Sequence, residues 1–261
     1  MRVYLALTKR QSHCRLRNWG TLVTAVLLFL LLAAFAAIWY LVPLVLRWLS
    51  SRKLRRYCKE QSAVVLSYDD GPSEHLLPRL LSVLNEEKVH ATFFLLGRNV
   101  EERRNTVQLL VEAGHEVGGH TFHHSNAWKA WPLAAARDLS KGLKILQSEG
   151  VEAGVFRPPY GKATLATLAD CRQRSVRLGW WTVDSQDVWD RRPISDVIDD
   201  LKAHGGGVVL MHDLDREELV EDGVSHSDYV LDLTREIVRF AANSGLRVKR
   251  LNDIYSYAAK R

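Results

Sequence analysis

Two adjacent carboxylates, Asp69 and Asp70, stand directly ahead of Gly71-Pro72. Neighbouring anions repel unless a cation or a shared proton relieves them. The Gly-Pro turn breaks strand alternation, so both acids can face one opening. A second donor group is His120-Thr121-Phe122-His123-His124. Residues three or four apart share a helical face, so one turn of helix would pair His120 with His124, or with His123; both spacings suit metal ligation. Arg157-Pro158-Pro159-Tyr160, the segment from Asp184 to Asp187, and His212-Asp213 complete the polar set. Carboxylates, imidazoles and a guanidinium are the groups of metal-assisted and general acid–base hydrolysis. Each cluster alone has a plainer reading, since turn carboxylates are usually solvated and surface histidine pairs are common. Their joint placement in the fold decides the matter.

The elements that must position them alternate. Apolar, β-branched or aromatic runs occupy 63–68, 91–96, 116–121, 155–159, 176–184, 207–212 and 246–251, and most intervening stretches have helical spacing, as at Leu80, Leu81 and Leu84. Strands alternating with helices imply a parallel sheet with crossovers, and seven such units in about 200 residues imply an α/β barrel short of eight strands. In such a barrel chemistry gathers at the C-terminal ends of the strands. Asp69-Asp70, His120 and His124, Arg157 to Tyr160, Asp184 to Asp187, and His212 each follow one of the runs. Trp180 and Trp181 read as strand core, and Asp190, Asp213 and Asp215 as loop acids beside the site.

The 261 residues are 47% hydrophobic and 25% charged, which excludes a disordered chain, and three Cys exclude a disulfide scaffold. The formal charge of +6 suggests nucleic acid only until it is divided: residues 1–62 hold 11 Lys/Arg and one acid, Glu60, leaving 25 Lys/Arg against 29 Asp/Glu in the rest. The larger part is therefore mildly acidic and implies no nucleic-acid partner. No charge occurs from Asn18 to Leu46, and the apolar run from Thr21 to Val42 spans about 33 Å as a helix, the depth of a bilayer core. Trp19 flanks one end, and Trp39, Tyr40 and Trp48 the other, where interfacial aromatics belong. Ala34-Phe35-Ala36 resembles a signal-peptide cleavage site, but the apolar run continues well beyond it, favouring an uncleaved single-pass anchor in the cell membrane. Five basic residues precede the span and six follow it, so the flanks choose no side for the C-terminal part. Cys14 and Cys58 then lie on opposite sides; Cys58 could pair only with Cys171, and three free thiols are the expectation. The chain divides into a basic tail (1–18), a transmembrane helix (19–48), a basic linker (49–62) and a catalytic domain (63–261).

Five segments, in order, resemble the motifs of the polysaccharide deacetylase family, also called the NodB homology family or carbohydrate esterase family four: Ser67-Tyr68-Asp69-Asp70-Gly71-Pro72, His120 to His124, Phe156 to Gly161, Asp184-Ser185-Gln186-Asp187, and Val209-Leu210-Met211-His212. The resemblance covers about residues 62–255. It implies a distorted (β/α)7 barrel of the polysaccharide deacetylase type, here preceded by one transmembrane helix. It selects His124 over His123 and implies that Asp70, His120 and His124 hold a divalent metal: zinc by preference, with cobalt, manganese or nickel compatible. It further implies Asp69 as general base held by Arg157, and the Tyr160 backbone N–H as oxyanion donor. His212 would be the general acid supported by Asp187, with Leu210 lining the acyl pocket. The family's Trp after the second Asp is Val188 here and Trp189 follows one position later, which alters the pocket wall and leaves the acyl group, acetyl or formyl, open.

The expected activity is metal-dependent hydrolysis of the N-acyl group of an amino sugar. Because residues 51–62 reach at most about 40–43 Å when fully extended, a lipid-linked or membrane-proximal glycan is the expected substrate and the bilayer an expected partner. A peptidoglycan- or chitin-type polymer is the alternative, and a catalytically silent glycan-binding membrane module a further one.

Overall fold

The structure is a computed structural model that describes residues 2–216 and 223–259. Expectations resting on the side chains of Arg2, Lys9, Arg10, Cys14, Arg15 and Arg17 lie outside the described residues. The chain opens with helix α1 (Arg2–Glu60), whose most apolar 18 residues have a mean hydropathy of 2.7 and no burial, so it is long and apolar enough to cross a membrane. It does not end at the apolar run. Residues 49–60, expected as a linker, continue the helix, and Leu54, Tyr57 and Cys58 are buried against Phe94, Trp180, Val208, Leu251 and Ile254. The stretch is therefore packed structure, not an extensible tether. Cys58 and Cys171 are free and buried, and burial pushes both thiols up to about 12.

The elements alternate as their periodicity implies: β1 (Ala63–Asp69), α2 (Leu76–Glu86), β2 (Thr92–Leu95), α3 (Gly97–Glu102), α4 (Asn105–Glu112), β3 (Glu116–Gly119), α5 (Pro132–Ser148), β4 (Val155–Phe156), α6 (Leu165–Gln173), β5 (Arg177–Leu178), β6 (Val183–Asp184), α7 (Ile194–His204), β7 (Gly207–His212), α8 (His226–Asn243), β8 (Arg247–Val248) and α9 (Leu251–Ala259). All the strand pairings are parallel, in the order β5-β4-β3-β2-β1-β7-β6, with β8 beside the N-terminal half of β1. Successive strand residues point to opposite faces. On β1, Val64, Leu66 and Tyr68 pack outward with Leu80, Leu84 and Ile237 of the helices. Val65 packs inward with Val208, Phe94 and Trp180, and by alternation Ser67 and Asp69 share that inner face.

The result is a parallel half-barrel of the β/α type. Among the described residues no pairing joins β5 to β6, and the reason lies in 176–184. This run, expected as one strand, is two. Gly179 N–H donates to Phe156 O (2.8 Å) on the β4 side, and Thr182 N–H to Val208 O (2.9 Å) on the β7 side. The backbone therefore changes sheet edge across Trp180-Trp181. Gly179 permits the crossing, because a Cβ there would lie 2.5 Å from the Phe94 ring.

Candidate active site

Asp69 ends β1 and, by strand alternation, faces inward; Asp70 would face away. It does not, because its backbone turns into the left-handed region (φ 70°), a conformation rare for side-chain-bearing residues. Its carboxylate Oδ1 lies 3.4 Å from His120 Nε2 and 3.3 Å from His124 Nε2. The Asp70 carbonyl accepts from Asn99 Nδ2 at 2.7 Å, and the turn beyond is held by Asp213, which accepts from Ser73 Oγ (2.5 Å) and Ser73 N–H (3.3 Å). Burial pushes Asp213 up to about 7. Asp215 accepts from the N–H groups of Glu74, His75 and Leu76, at the start of α2. The loop acids Asp213 and Asp215 thus position the carboxylate pair, whereas Asp190 is exposed.

His120 and His124 converge, with ring centroids 5.1 Å apart, but not on a helix. The expected helical turn is a loop in which Thr121 (φ 67°) and His124 (φ 64°) are left-handed, and Thr121 Oγ1 accepts from His124 N–H. His123 is turned away: its side chain is 62% exposed and its Nδ1 meets Asp138 Oδ1 at 2.7 Å. His120 Nδ1 lies 2.7 Å from Arg157 O, an obligate acceptor, so Nδ1 carries the proton and Nε2 presents its lone pair. Burial holds this imidazole down at about 3, so it is neutral at physiological pH.

Arg157 is fully buried. It donates from Nη1 to Asp69 Oδ1 (2.7 Å), from Nη2 to Ser67 Oγ (3.0 Å) and from Nε to Gly179 O (3.0 Å). Burial raises Asp69 above the ordinary carboxylate range, and Arg157 opposes it. Tyr160 sits in a 3₁₀ turn (Pro159–Gly161) at φ 57°, its ring centroid 4.6 Å from that of His124. Among the described residues eight non-glycine residues have positive φ, and five of them (Asp70, Thr121, His124, Tyr160 and Gln186) lie in these strand-end loops, where strain serves placement.

On the other side of the mouth, Asp187 is buried and accepts from four donors: His212 Nδ1 (2.8 Å), His212 N–H (2.8 Å), Ser185 Oγ (2.9 Å) and His226 Nε2 (3.1 Å). Burial alone would raise its pKa, but His212 and His226 outweigh that and hold it well below the carboxylate range. For His212 burial lowers the pKa, yet Asp187 first, then Asp69 and Asp70, lift it to about 9. Leu210 is buried on the same face of β7 as His212. Val188 is half-buried, and Trp189 is 64% exposed with its ring 6.4 Å from that of His212, so the indole stands at the rim. Trp180 is core as expected, while Trp181 is half-buried under Arg47.

Sequence reasoning missed His226 and Asn99, and it gave no role to Ser67 and Ser185, which stand inside two of the motifs. His226 is 39 residues from its partner, and no local pattern could have marked it.

Asp70 Oδ1 is buried without a hydrogen-bond partner, and one donor atom each from Asp70, His120 and His124 lies within 4.8 Å of the others. An orphaned carboxylate oxygen between two imidazole nitrogens, one of them fixed by tautomer as a lone pair, fits a divalent cation.

A parallel β/α half-barrel with such a donor cluster at its strand ends is the architecture of a metal-dependent hydrolase. Residues 56–179 match the polysaccharide deacetylase family model. A chitooligosaccharide deacetylase of Sinorhizobium fredii is 28% identical over 194 residues, covering 72% of this chain and 90% of that one. Another from Azorhizobium caulinodans is 30% identical over 162 residues, 60% of this chain and 77% of that one. The crystal structure of the Bc1960 peptidoglycan N-acetylglucosamine deacetylase superimposes with a TM-score of 0.66 at 27% identity, over 75% of this chain and 89% of that one. The chain belongs to the polysaccharide deacetylase family, whose members are metal-dependent carbohydrate N-deacetylases.

Proposed function

We propose that the protein hydrolyses the N-acyl group of an amino sugar in a glycan, releasing a free amine and a small acid. The observation that carries this is the Asp70 Oδ1 atom, buried and unpartnered between His120 Nε2 and His124 Nε2. Held there, a divalent metal, zinc by preference, would supply Lewis acidity and lower the pKa of water. The chain does the rest. Asp69, held through Oδ1 by Arg157, accepts the proton of the attacking water at Oδ2, the oxygen not engaged by Arg157. The Tyr160 N–H serves the acyl oxygen as it gains negative charge. His212, protonated at neutral pH and oriented through Nδ1 by Asp187, delivers a proton from Nε2 to the departing amine nitrogen. Leu210, Val188 and Trp189 border the acyl group; the exposed Trp189 leaves the wall open enough for acetyl or formyl. A silent glycan-binding module has no use for both Asp69 and an Asp187–His212 pair.

The finer reading is that the enzyme is membrane-anchored and acts on a lipid-linked amino sugar. It is supported by α1 itself: Arg47, at the end of the apolar run, donates from Nη1 to Gly161 O (2.9 Å), one residue from Tyr160. The polymer deacetylase reading draws on the relatives' substrates.

The test uses the full chain in detergent with added metals against N-acetyl and N-formyl amino sugars. Asp70→Ala should lose both metal binding and turnover, whereas His212→Ala should bind metal normally and lose turnover by at least ~100-fold. Undiminished metal affinity in Asp70→Ala sinks the ligand assignment.

A further inference from the structure

The loop ahead of α5 and the first turn of that helix expose Trp131 (83%) and Leu133 (73%), more than any other large apolar side chain outside α1 among the described residues. Pro132 and Ala134 beside them are exposed too. Residues 125–137 contain no acid, while Lys129 and Arg137 are exposed bases. A helix start ordinarily favours Asp or Glu, and α5 has none in its first turn. Instead it presents an indole and a leucine.

Their neighbour identifies what covers them. Trp128, in the same loop, meets the ring of Tyr40 of α1 edge-on at 5.4 Å, and its Nε1 donates to Ala163 O at 2.8 Å. Lys162 lies over the Trp128 ring. Pro43, one turn further along α1, is already buried. The continuously exposed stretch of α1 runs from Thr21 to Ile38, about 27 Å at 1.5 Å per residue, against about 30 Å of hydrocarbon in a bilayer. With α1 read as the membrane anchor, Tyr40 would stand near the depth at which hydrocarbon ends, and the Tyr40–Trp128 contact would hold the loop at that depth.

We propose that Trp131 and Leu133, with Lys129 and Arg137 beside them, form a bilayer-docking surface that inserts at the acyl–headgroup boundary. Trp and Leu flanked by bases and free of acids are what that boundary selects in an anionic leaflet. The surface belongs to the same loop as His124, so docking holds the mouth of the site against the membrane. The inference rests on the reading of α1 as a membrane anchor and needs no turnover for its test.

The full chain is reconstituted into vesicles of phosphatidylcholine with phosphatidylglycerol, with bromine placed high on the acyl chains of some. The Trp131 emission, taken as wild type minus Trp131→Phe, should be strongly quenched by the brominated lipid, since the expected depth is about 5–10 Å. Trp131→Asp with Leu133→Asp should still co-float with vesicles and turn over a soluble N-acetyl chitooligosaccharide unchanged, but lose activity severalfold on an amino sugar linked to a bilayer lipid. A chain that co-floats while Trp131 stays unquenched overturns the docking surface and spares the anchor. A chain that does not co-float overturns both. Loss of turnover on the soluble oligosaccharide assigns Trp131 to glycan stacking and overturns the proposal. Absence of N-deacylation on every sugar would overturn the enzymatic reading while leaving the quenching result intact.

Discussion

Asp187 accepts from four donors within 3.1 Å, the full capacity of a carboxylate, and two of them are imidazoles from different elements. Such a residue sets the pH at which His212 can act. As the proposed general acid, His212 must be protonated to release an amine, so turnover should be retained below its raised pKa of about 9 and lost as pH rises through it. Asp187→Asn removes the largest cause of that elevation and leaves burial, which lowers an imidazole pKa. The alkaline limb of the kcat/KM profile of the metal-loaded enzyme should therefore move to lower pH by at least about one unit. An unmoved limb would detach His212 from the acid role. The core of this chemistry was legible because Asp69-Asp70, His120–His124 and His212 announce themselves by residue type and by position after apolar runs. The buried partners were not. His226 and Asn99 are ordinary residues in unremarkable surroundings, Ser67 stands in the first motif with nothing to mark its role, and only the fold brings the three to Asp187, Asp70 and Arg157.

At the scale of elements, α1 holds the largest difference between pattern and structure. Its apolar stretch is visible as composition, but the basic run after it looks solvated because Arg52, Lys53, Arg55, Arg56 and Lys59 conceal Leu54, Tyr57 and Cys58 between them. At helical spacing those three fall on one face, and that face closes the inner core against Val208 and Ile254. Burying three such side chains contributes roughly 4–6 kcal/mol, a large share of a domain's net stability. A fragment beginning near Ser50 should unfold at nearly the temperature of the full chain. One beginning at Gln61 should lose about 10–20 °C or fail to fold cooperatively, as followed by circular dichroism. Equal melting of the two would make the helix end dispensable. The split of 176–184 was hidden for a related reason: a continuous β-rich sequence carries no mark of where its hydrogen bonds change partner. The helical expectation for His120 and His124 failed because spacing reports periodicity, whereas two left-handed residues reach the same convergence without a helix.

At the scale of the molecule, α1, read as the proposed membrane anchor, would decide where catalysis happens. A flexible twelve-residue tether would let the domain sample a shell of glycan tens of ångströms deep. A helix buried into the core allows no such excursion: Arg47 touches Gly161, Tyr160 adjoins it, and the His124 ring meets that of Tyr160 at a tilt. From Tyr40, where the loop of His124 meets α1, to Arg47 is seven residues, about 10 Å of helix. The metal-ligand cluster therefore lies within a few turns of the level at which the apolar run ends. A sugar joined to a membrane lipid reaches that level by lateral diffusion, whereas a strand of insoluble polymer must be threaded against the membrane surface. Full-length protein in vesicles should accordingly show a higher kcat/KM on a polyprenyl-linked N-acyl amino sugar than on chitin or peptidoglycan fragments, and the difference should shrink for the fragment beginning near Ser50 in solution. A preference for the insoluble polymer that survives reconstitution would mean that the domain detaches from the geometry α1 imposes, and the lipid-linked reading would fall with it.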